Sequence, residues 1–109
     1  MNTQGWMGAV AQNGMSLRHV PRALKNNEQV VISAVKSNGH ALKFASVVLQ
    51  NNERVVTVAV TRDGGALYHG STGIKNNERV VTAAVAQDGL VLEYASIELK
   101  NNERVVTTA

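Results

Sequence analysis

The chain has no cysteine, which removes disulfides, thiolate metal sites and cysteine nucleophiles together and fits a reducing compartment. Aromatic residues make up only 4% of a chain that is 44% hydrophobic. The core must therefore come from valine, leucine, isoleucine and alanine, which suits thin repeated layers better than one bulky centre. No apolar run approaches the ~20 residues of a membrane-spanning helix. The opening MNTQGWMGAV has no basic region followed by an apolar stretch, so it does not read as a secretory signal. A cytoplasmic protein without membrane contact is the expectation. Charge of one sign is also scarce. Eleven Lys and Arg against eight Asp and Glu leave +3, and no clustered basic run appears, which argues against a dedicated nucleic-acid binder.

What the 109 residues do contain is a repeat. Leu24, Leu49, Ile74 and Leu99 stand 25 residues apart, as do Gly14, Gly39, Gly64 and Gly89. The same interval relates Asn27, Asn52, Asn77 and Asn102, and again Leu17, Leu42, Leu67 and Leu92. NTQGWMGAVAQNG from Asn2 aligns with NERVVTAAVAQDG from Asn77, so the pattern reaches the start. One repeat domain follows, with units 1–23, 24–48, 49–73 and 74–98 and a partial fifth unit at 99–109.

Each unit carries start and stop signals for a helix. In NNERVVTAAVAQDG, from Asn76, asparagine is a favoured N-cap and Glu78 complements the positive end of the dipole. Val80, Val81, Ala84 and Val85 form one apolar stripe. Gly89 reads as a left-handed stop. In the second half, Leu92, Ala95 and Leu99 lie on one helical face. The spacing thus predicts two helices per unit, A and B. A β-propeller blade is the rival, because RVVTVAV alternates with period two. VVISAV and VVTAAV break that alternation and keep the helical stripe, so the prediction is an all-α solenoid of tandem two-helix repeats.

The motif DGLVLEYASIELKNNERVVTAAVAQDG, written as the end of one unit joined to the start of another, resembles the repeat of a bacterial, protist and viral family known as domain of unknown function 4116. Tyr94, Ala95, Ser96, Leu99, Lys100 and Asn101 match the middle of that repeat, and Val80, Val81, Ala84 and Val85 match its A helix. Where the family has aspartate, this chain carries Asn27, Asn52, Asn77 and Asn102, which still cap a helix. The resemblance implies a short-unit α-helical solenoid and no catalysis.

No constellation for chemistry stands out. His19 and His69 share a column two layers apart, about 20 Å by helix packing distances, too far for one metal. His40 lies in another column. The glutamates at 28, 53, 78 and 103 stand at exposed helix starts beside basic residues, Gln29 excepted, and read as dipole partners. Ser46, Ser71 and Ser96 have no histidine at a related position. GGALYHGSTG, from Gly64, lacks the Gly-Lys-Ser/Thr ending of a phosphate loop. It reads instead as a weakened B helix in the softest unit, with Tyr68 and His69 as a divergent site. No catalytic residue, cofactor or metal is implied.

Two basic columns remain, Arg54, Arg79 and Arg104, and Lys25, Lys75 and Lys100, with Gln50 interrupting the second. They form the candidate binding surface. The first helix is expected to expose Trp6 and Met7, and the last to leave an open outer face beside Val105 and Val106, so the array ends should self-associate. The expected function is a non-enzymatic scaffold for a protein partner. Nucleic-acid binding through the Arg and Lys columns is the alternative.

Overall fold

The computed structural model describes residues 2–94. Lys100, Arg104 and the expected partial fifth unit lie outside them. Among the described residues four long α-helices are separated by shorter pieces: α1 (Thr3–Gln12), α3 (Glu28–Ser37), α5 (Glu53–Arg62) and α6 (Glu78–Gln87). Between them stand one-turn helices α2 (Arg22–Lys25) and α4 (Val47–Gln50), and 3-10 helices at Gly14–His19, Gly39–Phe44, Gly64–His69, Ile74–Asn76 and Gly89–Tyr94. Among the described residues there is no strand, and the all-α repeat fold holds.

The long helices begin as their asparagines dictate. Side chains of Asn2, Asn27, Asn52 and Asn77 accept from the amides of Gly5, Val30, Val55 and Val80 at 2.9–3.1 Å. Glu28, Glu53 and Glu78 occupy the first turns of α3, α5 and α6. The stripe Val30, Val31, Ala34 and Val35 is fully buried, as are its copies Val55, Val56, Ala59 and Val60. Long helices pack on their successors in one row, and 3-10 helices stack in a second. The core lies between the rows, and the molecule extends 47 × 22 × 16 Å. Trp6 and Met7 are half-buried against that core rather than exposed.

The second half of the unit departs from a single B helix. Val20, Ala45 and Gly70 are extended, with ψ of 142°, 161° and 160°, and split it into a 3-10 helix and one further turn. Leu42, Ala45 and Leu49 still face the core, because a 3-10 turn also brings i and i+3 to one side. Ser46 then starts α4 by accepting from the Leu49 amide at 3.2 Å. Gly70 accordingly sits at a junction and carries no penalty for glycine inside a helix.

The glycine column is also corrected. None of the described glycines has a positive φ, so Gly14, Gly39 and Gly64 are not left-handed stops. The long helices end instead on extended Asn13, Asn38, Asp63 and Asp88. A Cβ on Gly14, Gly39 or Gly64 would fall inside 3.0 Å of the carbonyl of Ala34, Ala59 or Ala84 in the next unit. Close approach of two backbones fixes these positions.

Further bonds join the beginning of each unit to its end. The Ser46 amide donates to the Lys25 carbonyl and the Ser71 amide to that of Gln50, each at 2.9 Å. The two serine hydroxyls bond Asn26 and Asn51. Of each Asn-Asn pair, the second residue caps its own helix and the first receives the serine near the end of the same unit. Pro21 holds this serine column in the first unit and has no N–H, so the first rung is Ser46.

Candidate functional site

The arginine column lies on the outer edge of the long-helix row, at the second residue of α5 and of α6. Each described arginine reaches back one unit. Arg54 meets Glu28 at 3.4 Å and Arg79 meets Glu53 at 4.0 Å, with arginine side chains 76% and 89% exposed. Such exposed pairs are worth about 0–1 kcal/mol each. Each guanidinium of the described column thus has a carboxylate of the preceding unit beside it while remaining largely exposed.

The lysine column does not act as a set. Lys25 closes α2, and its carbonyl receives Ser46. The Gln50 side-chain amide donates to the carbonyls of Leu42 at 3.1 Å and Lys43 at 3.3 Å, so the interruption satisfies the end of a 3-10 helix. Lys75 holds its ammonium 5.2 Å from the centroid of the Tyr68 ring.

Between successive long helices run shallow grooves. One of about 560 Å³ is lined by Asn26, Asn27, Glu28, Gln29, Ile32 and Arg54. The next, about 480 Å³, is lined by Glu53, Arg54, Thr57, Val58 and Arg79. Ile32 and Val58 are half-buried against the core and give each groove an apolar floor. Sequence reading misses them because they stand in adjacent columns; the available signal is one large aliphatic outside the buried stripe in α3 and in α5.

Tyr68 and His69 do come together, in company that the columns do not predict. The His69 ring packs edge-on to Tyr68 at 5.5 Å and to His40 of the preceding unit at 5.7 Å. A Cβ on Gly65 would stand 3.4 Å from His40 Cε1, an ordinary contact. Among the described residues no group of three or more His, Cys, Asp or Glu is disposed to hold a metal.

Burial, and then the charges of His40, Lys43 and Lys75, hold the His69 imidazole below its ordinary pKa of 6.5. A histidine with a depressed native pKa gives its full stability above the ordinary value. That stability is lost as pH falls through 6.5 towards the native pKa, because the unfolded chain takes up the proton first. The chain is therefore expected to melt lower at pH 5 than at pH 7.5. His69→Phe, which copies Phe44 one unit earlier, should narrow the gap. Equal pH dependence in both proteins would rule this out.

The family model described as "Domain of unknown function (DUF4116)" matches residues 7–50, 27–75 and 52–100. The second and third matches begin one 25-residue unit apart. No curated protein and no solved structure matches the chain.

Proposed function

The chain belongs to the domain of unknown function 4116 family, a description that names no activity, and we propose from its surface chemistry that it is a non-enzymatic repeat scaffold that binds a protein partner. The observation that carries this reading is the pair of grooves between α3, α5 and α6. Each offers an apolar floor, Ile32 or Val58, beside a carboxylate–guanidinium pair from two units. An apolar centre with a polar rim is the anatomy of a protein interface. The repetition lets an extended segment or a helix of the partner contact several units at once. Nucleic-acid binding through the arginines is disfavoured by their pairing with Glu28 and Glu53. No helix among the described residues is long and apolar enough to cross a membrane.

The test is affinity capture from cell extract with the wild-type chain and with Ile32→Lys/Val58→Glu, whose fold is checked by circular dichroism. A protein held stoichiometrically by the wild type should be lost with the variant, and the loss should recur with the two purified proteins. Capture of the same set by both chains would overturn the reading.

A further inference from the structure

The outer face of the 3-10 row carries a cluster that the grooves do not use. His40 and Lys43 come from Gly39–Phe44, His69 from Gly64–His69 and Lys75 from Ile74–Asn76. Ring contacts join them: His40 to His69 at 5.7 Å, His69 to Tyr68 at 5.5 Å, and the Lys75 ammonium 5.2 Å from the Tyr68 ring. The Lys43 ammonium stands 5.1 Å from the ring of Phe44, one layer from His69 in the same column. We propose that His40, Lys43, His69 and Lys75 form a site for a phosphate-class dianion, free or as a phosphomonoester, where the 3-10 helices Gly39–Phe44 and Gly64–His69 stack.

Charge is the first argument. The charged groups acting on His69 are His40, Lys43 and Lys75, all of them bases. Neither lysine has an ion pair among the described residues, whereas Arg54 and Arg79 both meet glutamates. Asp63, an acid that flanks this stretch, is committed to the Gly39 amide at 2.8 Å. Donor chemistry is the second. Two ammonium groups and two imidazoles present N–H donors from two layers, and phosphate offers oxygens in several directions with two charges to share. A carboxylate would leave one ammonium uncompensated. A transition metal would face both ammoniums with only two imidazole ligands, so the histidine pair does not read as a cation site. The third argument is placement: cation–π contact holds the Lys43 and Lys75 ammoniums beside rings instead of free in solvent. Tyr68, 60% exposed at the rim, offers its ring to an aryl ester.

The experiment titrates the full chain with inorganic phosphate and with phenyl phosphate at constant ionic strength, following histidine ring signals by NMR. Saturable shifts are expected at His40 and His69 and not at His19, an exposed histidine in the first unit. Bound phosphate should also raise the titration midpoint of His69. Lys43→Gln/Lys75→Gln should weaken binding roughly tenfold or more, the scale of two lost charge-assisted bonds, while Arg54→Gln leaves it unchanged. Tighter binding of phenyl phosphate would assign a phosphomonoester, and equal affinity free phosphate; both support the site. Absence of saturation in the wild type, shifts of the same size at His19, or undiminished affinity in the double lysine variant would overturn it.

Discussion

Gly39→Ala is expected to lower stability by about 3 kcal/mol or more, the upper end of overpacking, and Gly8→Ala to raise it by about 0.5–1 kcal/mol. Both changes add one methyl group. Gly8 lies inside α1 with nothing within 4 Å of an added Cβ, so alanine there only restricts the unfolded chain. At Gly39 the same carbon would press on the Ala59 carbonyl and stand 3.1 Å from both Asp63 Cβ and Oδ2. Backing away is costly, because the Gly39 amide donates to that Asp63 carboxylate at 2.8 Å. The clash falls between units two and three, and relieving it would loosen the stacking itself. At ~4–8 °C per kcal/mol for a domain of this size, the two variants should melt far apart on opposite sides of the wild type. Thermal melts that moved together would remove close approach as the reason for the glycine column.

That column shows why the sequence is legible in one half of the unit and ambiguous in the other. The long helices follow from local signals, an asparagine cap, a first-turn glutamate and a valine-alanine stripe, and each acts within four residues. Gly39 is ambiguous, because a left-handed stop and a close contact both call for a residue without a side chain. The spacing of Leu42, Ala45 and Leu49 is equally compatible with one helix and with the 3-10 turn, extended residue and short turn observed. Aligning the repeats groups residues related by translation, yet the contacts join different columns. Arg54 meets Glu28, Gly39 meets Asp63 and His40 meets His69. Equivalent positions stay one layer apart, so the basic ladder looked like a site while the histidine pair stayed hidden.

Leu42→Ala should cost about 2–5 kcal/mol, the range for a fully buried leucine whose neighbours collapse only in part. Leu17, Leu42 and Leu67 are the largest fully buried side chains described, each at 0% exposure in its own 3-10 helix. With so few aromatics nothing larger can fill the gap. The consequence depends on position along the array. In a linear stack each unit is stabilised mainly by its two neighbours, and the 3-10 helix of Leu42 packs against both the one before and the one after. A cavity there weakens two junctions at once, so urea unfolding should broaden, with a smaller apparent m-value than the wild type. Leu67→Ala in the next layer shares one of those junctions. The double variant should therefore lose less than the sum of the singles, since the second cavity acts on a junction already loosened. Strict additivity, or a Leu42→Ala loss below about 1 kcal/mol, would show that each layer stands on its own. The same coupling bears on the surface, because the groove floors at Ile32 and Val58 keep their spacing only while α3 and α5 stay stacked.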